Sequence, residues 1–302
     1  MKKVVSVSLG SPDGDFSREI DLGGYRVSLC REGMDGDTNR AQARIRELDG
    51  SVDAIGLGGI DIYLYVGGKQ FVIGDGLRLA ETAKKTPVVD GSGLKNTLER
   101  RVVRRLASEG LIGASSKVLL VGAMDRFGMA EALVETGCEC VFGDLIFNIG
   151  IDYPLATLGE IEELAEKYRS RLLTVPFHLL YPTGASQRER KPDPRFEKYY
   201  FASDVIAGDR HLVFRHMPER LDGKGIITTT TRPSTMSAFK LAGVRWVATT
   251  TPEMDGVSGG TNIIEAAMVA VMEKKPAEIS AADYSRWIEK LGLDGAVHFL
   301  EG

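Results

Sequence analysis

The chain is short of the residues that build metal centres and disulfide scaffolds. Its 302 residues include three cysteines and four histidines. Cys30 stands alone, and Cys138 and Cys140 are two apart on a predicted strand, so a reducing compartment fits better than a disulfide framework. His178, His211, His216 and His298 are scattered, with no His-x-x-x-His or Glu-x-x-His spacing, and no metal is expected. His178, behind the strand-like Val175-Pro176-Phe177, has the best catalytic placement of the four. An excess of positive charge is also missing. The formal net charge is −4, which argues against a dominant nucleic-acid footprint. Long apolar runs are absent: the longest, Ile263 to Met272, is broken by Glu265 and too short to span a bilayer. Met1-Lys2-Lys3 is not followed by the apolar stretch of a signal peptide. These absences lead us to expect a cytoplasmic protein with a small-molecule substrate and neither nucleic acid nor membrane as partner. Association into a homo-oligomer is left open. No internal repeat, low-complexity linker or Gly-x-x-x-x-Gly-Lys-Ser/Thr loop occurs. Gly256-Val257-Ser258-Gly259-Gly260 matches an esterase elbow as a string, but the strand before it ends near Thr249, too early for the motif.

What the chain has in excess is glycine, 35 residues where about 20 would be ordinary. They sit at the ends of apolar runs and mark turns. Gly23-Gly24 and Gly67-Gly68 each separate two strand-like segments and predict hairpins. Leu94, Leu98, Val102 and Leu106, spaced by four, predict a helix over 92–106. From residue 115 onward, strands and helices alternate. Strands are expected at 117–121, 138–142, 172–175, 211–214, 225–229 and 245–249, with helices at 158–168 and near 201–207. This alternation predicts an α/β chain with three parts. An N-terminal α/β substrate domain covers 1–112. A Rossmann-like doubly wound parallel sheet that binds a nucleotide covers 113–275. A C-terminal helix within 276–302 packs back on the first domain.

The chemistry is expected at the strand ends. Gly122-Ala123-Met124-Asp125-Arg126-Phe127-Gly128 lies between a strand and a helix, where unpaired amides can hold a diphosphate. Met124 stands where the usual fingerprint has a second glycine, and Arg126 offers a phosphate contact instead. Asp144 follows about 20 residues on, placed for a ribose diol, which favours NAD over NADP. Thr229, Thr230 and Thr250 belong to two threonine tracts at later strand ends. They read either as cofactor contacts or as simple β-propensity. Lys95, three residues after the probable cap Ser92, opposes the helix dipole. Either an anion lies beside it, or Asp90 pairs with it to give a proton-transfer couple. Ser6, Ser8, Asp61, Asn96 and Asn262 complete the expected substrate contacts; for Asp61, turn capping is an equal alternative.

The segments Val4-Val5-Ser6-Val7-Ser8-Leu9-Gly10-Ser11, Gly58-Gly59-Ile60-Asp61, Val89-Asp90-Gly91-Ser92-Gly93-Leu94-Lys95-Asn96-Thr97-Leu98-Glu99-Arg100-Arg101 and Thr249-Thr250-Thr251-Pro252 resemble a bacterial group known as quinate 5-dehydrogenase. The resemblance spans nearly the whole chain. It implies an oxidoreductase that moves a hydride between NAD(P) and a hydroxyl of a small polyhydroxylated acid such as quinate or shikimate. It also implies a substrate domain before the nucleotide domain. The alternative is a sensory or non-catalytic protein that binds a small ligand on the same fold.

Overall fold

The computed structural model describes residues 1–176, 184, 189–254 and 257–300; His178 lies outside them. The chain is a mixed α/β protein built on two largely parallel sheets. The first lobe contains β1 (Lys2–Ser8), β2 (Phe16–Leu22), β3 (Tyr25–Gly33), α1 (Thr38–Leu48), β4 (Ala54–Gly58), the hairpin β5 (Tyr63–Val66) and β6 (Lys69–Val72), α2 (Gly74–Ala80), β7 (Val88–Val89) and α3 (Ser92–Ser108). Its sheet has the order β2-β3-β1-β4-β7. β1 pairs in parallel with β3 and β4, with Ser8 opposite Gly33 and Gly58. Both expected glycine hairpins form, β2 against β3 and β5 against β6.

The second lobe adds β8 (Lys117–Leu120), α4 (Phe127–Glu135), β9 (Glu139–Phe142), α5 (Leu158–Thr174), α6 (Pro194–Ala202), β10 (Val205–Gly208), α7 (Arg210–His216), β11 (Gly225–Thr228), α8 (Pro233–Leu241) and β12 (Trp246–Thr249). A small ribbon of β13 (Glu253–Met254) and β14 (Val257–Ser258) leads into α9 (Thr261–Met272). The chain closes with α10 (Ala281–Leu291) and β15 (Val297–Phe299). The sheet order is β9-β8-β10-β11-β12, all parallel, with β15 antiparallel beside β12. In sequence terms the parallel part reads 2-1-3-4-5. The strand order reverses between β8 and β10, and ligands of such sheets bind outside the carboxyl ends at that place.

Two expected strands are helical. Residues 172–175 finish α5, whose Thr157–Glu160 capping box starts a helix that runs on to Thr174. Residues 211–214 lie in α7, started by the Asp209 side chain on the His211 amide. The strand missing from that region is β10, placed in a segment read as helix. Short apolar runs do not separate the two states by periodicity alone.

Alternation divides the core. Val118 and Leu120 of β8 face the core shared with the first lobe, while Leu119 and Val121 face a second cluster with Ile206, Ile226 and Val247. On α3, the stripe Leu94, Leu98, Val102 and Leu106 is buried, each side chain worth about 1.5–3 kcal/mol of burial. α3 packs on α4, α9 and α10. The expected division at 275 falls too late, because α9 already leaves the second sheet and lies against β1 and β4. α10 packs on α3 of the first lobe, and β15 then returns to the second sheet. Among the described residues no helix is long and apolar enough to cross a membrane.

Candidate functional site

The carboxyl ends of both sheets face one cleft. From the first lobe come Ser8 after β1, Gly58 to Asp61 after β4, and Lys95 from the first turn of α3. From the second come Asp125 and Arg126 after β8, Asp209 to His211 after β10, and Thr229 to Arg232 after β11. The start of α9 closes the back, through Gly259, Gly260 and Asn262.

Lys95 sits at the centre. Its Nζ is 2.6 Å from Asp61 Oδ1 and 2.6 Å from Asp125 Oδ1, so one ammonium joins a carboxylate from each lobe. Burial works against the Lys95 charge, but Asp125 and Asp61 outweigh it and hold the group above its ordinary range. Burial raises the Asp61 carboxyl well above the usual value, and the Asp125 charge adds to this against Lys95. Asp125 moves the other way. Burial opposes its ionisation, yet Lys95 and Arg126 prevail and lower its pKa. The two neighbouring carboxyls are thus pushed in opposite directions.

The expected Asp90–Lys95 couple does not form. Asp90 accepts the amides of Ile62 at 2.5 Å, Tyr63 at 3.0 Å and Ser92 at 3.0 Å. Three backbone donors occupy it, so it fixes the β5 hairpin and the start of α3 and does not tune the lysine. Between them Gly91 adopts φ 96°. A Cβ there would strike Thr261 Oγ1 and come within 2.7 Å of the Asn262 amide, so only glycine lets this turn meet α9. Below it, buried Glu265 accepts Gly91 N at 2.5 Å, Gly93 N at 3.2 Å and the Tyr284 hydroxyl.

The turn expected to hold a diphosphate is already filled. Asp144 accepts Ala123 N at 2.9 Å and Met124 N at 2.9 Å, and is itself buried. The carboxylate expected on a ribose therefore sits where the phosphates would. Phe127 is in the core at 2 % exposure. Gly128 faces α3, where a Cβ would come 3.1 Å from Asn96 Cα. Asn96 itself accepts Arg100 Nη2 at 3.0 Å, at the α3–α4 contact. Arg126 is buried in ion pairs with Glu99 and, at 3.3 Å, Asp209. A Cβ on Gly122 would make only an ordinary contact with Leu212. Residues 122–128 and Asp144 do not fit a dinucleotide at this turn.

The threonine tracts divide. Thr229 and Thr230 line the cleft, and Thr230 Oγ1 accepts Arg210 Nε at 3.3 Å. Thr250 is fully buried, and Thr251 braces the backbone, bonding to the Thr229 carbonyl at 2.6 Å and that of Gly259 at 2.7 Å. Ser6 accepts Asn262 Nδ2 at 2.7 Å, tying β1 to α9. Ser8 accepts Arg31 Nη2 at 3.0 Å, so it orients an arginine. The structure brings Lys95, Asp61 and Asp125 together from separate expectations. Sequence reasoning missed Arg31 and Arg232; the threonine tract ending in Arg232 was the nearest signal. Among the described residues no group of three His, Cys, Asp or Glu side chains can hold a metal.

Two family models cover the chain. Residues 93–300 match a domain of unknown function, DUF8754, and residues 3–90 match another, DUF8753. No curated protein matches. Among solved structures, an ABC-transporter solute-binding protein from Burkholderia multivorans is 13 % identical, with 92 % of this chain and 96 % of that one covered and a TM-score of 0.38. The glucose-galactose binding protein GanP of Geobacillus stearothermophilus is 11 % identical, with 99 % and 97 % covered and a TM-score of 0.37. An NAD-dependent malic enzyme from Thermotoga maritima is 13 % identical, with 82 % and 65 % covered and a TM-score of 0.32. At such scores these likenesses carry no argument about ligand or chemistry.

Proposed function

The chain belongs to the DUF8754 family of unknown function, and we propose that its cleft binds a small polyhydroxylated ligand, with Lys95 and Asp61 hydrogen-bonded to one of its oxygens. The observation that carries this is the Asp61–Lys95–Asp125 arrangement, in which one ammonium bridges a carboxyl from each lobe. Asp61, whose pKa burial raises, hydrogen-bonds a ligand hydroxyl. The Lys95 ammonium donates to the same oxygen, and Asp125 balances the ammonium. Thr229, Thr230 and Asn262 present hydroxyl and amide groups to the rest of the ligand. Lys95 does not act as a base, because Asp125 and Asp61 hold its charge in place. Hydride transfer with NAD(P), which the resemblance to quinate 5-dehydrogenase implies, is the second reading; the turn occupied by Asp144 favours binding without turnover over it.

Titration calorimetry with quinate, shikimate and myo-inositol tests the site. Binding of at least one is expected, with loss in Lys95→Met. In Asp61→Asn, which keeps a hydrogen-bonding group, binding should weaken less than in Lys95→Met. No binding of any of the three rejects the site, and a thermal shift with NAD or NADP favours a dehydrogenase instead.

A further inference from the structure

Arg31 leaves β3 in the first lobe, and Arg232 precedes α8 in the second; both line the cleft. Their guanidinium groups meet over Gly14, the last residue of a short 3-10 turn, Pro12–Gly14. A Cβ on Gly14 would strike Arg232 Nη2 and lie 3.2 Å from Arg31 Nη1, so the absence of a side chain there is what allows the two cations to lie side by side. Arg31 is fixed in place. Its Nη1 bonds to Asp15 Oδ1 at 2.6 Å and to the Ser11 carbonyl at 3.1 Å, and its Nη2 to Ser8 Oγ at 3.0 Å. Those bonds use three of the five N–H groups of a guanidinium and leave two. The Arg232 side chain has no hydrogen bond or ion pair among the described residues; its carbonyl accepts the Met236 amide at 2.9 Å. Asp15 is the carboxylate paired with Arg31, and no carboxylate is paired with Arg232 among the described residues. Like charges this close repel by about 1 kcal/mol even in water, and by more in a partly desolvated cleft.

Two planar donors from opposite lobes, with N–H groups to spare, match the oxygens of a carboxylate or phosphate. We propose that Arg31 and Arg232 form an oxyanion subsite that clamps the acidic end of the ligand between the two lobes and presents its hydroxylated end to Asp61 and Lys95. This rests on the reading of the cleft as a small-ligand site and names the ligand class: a polyhydroxylated compound carrying one carboxylate or phosphate group. Burial lowers the pKa of Arg31, and Arg232 acts in the same direction against Asp15.

Calorimetry on the full chain with quinate, myo-inositol and myo-inositol 1-phosphate tests the clamp. At least one of the two acids is expected to bind about tenfold or more tighter than myo-inositol, the size of a charged hydrogen bond. The tighter acid tells carboxylate from phosphate. In Arg232→Gln, which alters an unpartnered side chain and is expected to keep its melting temperature, that preference should fall to within about twofold while myo-inositol binding stays unchanged. Gly14→Ala, which displaces the Arg232 guanidinium, should do the same. Myo-inositol binding as tightly as both acids overturns the clamp but leaves the small-ligand site standing. An undiminished preference in Arg232→Gln also overturns the clamp alone. Failure of all three compounds to bind overturns both.

Discussion

The Asp144 carboxylate lies 2.9 Å from the Met124 amide and 2.9 Å from that of Ala123, so the turn after β8 carries its own anion. Helix-start amides attract phosphate because they are unpaired; here a residue from the end of the neighbouring strand has taken that role. Burial pushes the Asp144 carboxyl up to about 6, against the pull of the Met124 and Ala123 amides, which leaves it mostly ionised at neutral pH.

Asp144→Ala should lower stability by about 1–3 kcal/mol, the cost of two buried amides left without an acceptor. Urea denaturation reads this, and sulfate should restore part of the loss in the variant while leaving the parent unchanged. The parent should show no thermal shift with NAD or NADP. A shift with either nucleotide would falsify the account of the turn.

Lys95→Met should cost about 3–5 kcal/mol, because it leaves Asp61 and Asp125 facing each other in a buried site. Adding Asp61→Asn to that variant removes the repulsion and should recover part of the loss. Strictly additive effects of the two substitutions would mean that the three groups do not act as a unit.

Stability should rise as pH falls from 8.5 to 6. Burial pushes Glu265 from 4.5 to about 8, with Asp90 adding to it, and pushes Glu99 from 4.5 to about 7 against Arg126 and Lys95. A carboxyl whose pKa is higher in the folded chain binds more protons when folded. Its contribution is therefore full below the unfolded value and fades as pH climbs through the folded one. Each such group changes stability by about 1.4 kcal/mol per pH unit inside its window. The surface carboxyls with lowered values, Asp283 and Glu166 at about 2, act in more acid solution and do not oppose the trend. Melting temperatures measured across this range that fall steadily toward pH 6 would contradict it.

Gly91→Ala should destabilise by more than the roughly 1 kcal/mol typical of a glycine replaced in a left-handed conformation. The added methyl also strikes Thr261 and crowds the Asn262 amide at 2.7 Å. Ser92→Ala, one residue on, keeps that fit and makes the control. Equal unfolding midpoints for the two variants would remove the close approach as the cause.

Local structure was legible where the signal was local. The hairpins at Gly23-Gly24 and Gly67-Gly68 and the four-spaced stripe of α3 each rest on a few neighbouring residues. Val205–Gly208 and Arg210–His216 were read in exchanged roles, because apolar runs of that length suit either state and the deciding Asp209 cap is a single residue. At the site, Lys95, Asp61 and Asp125 each stood out at a strand end or helix start, but their pairing joins positions 34 and 30 residues apart. Nothing in local spacing separates Asp61 from Asp90 as the lysine's partner; the amides of Ile62 and Tyr63 decide it. Arg31 and Arg232 gain meaning only through a glycine that neither adjoins.

The chain crosses between its two lobes repeatedly: before β8, at α5, which packs on α2, β5 and β6, at the start of α9, and between α10 and β15. The two family models meet near Gly91, yet a cut there would strip β1 and β4 of the helix that covers them. The halves are consequently woven together like a single knotless braid. Separation at that boundary would yield fragments with bare apolar faces, so neither segment is expected to fold alone.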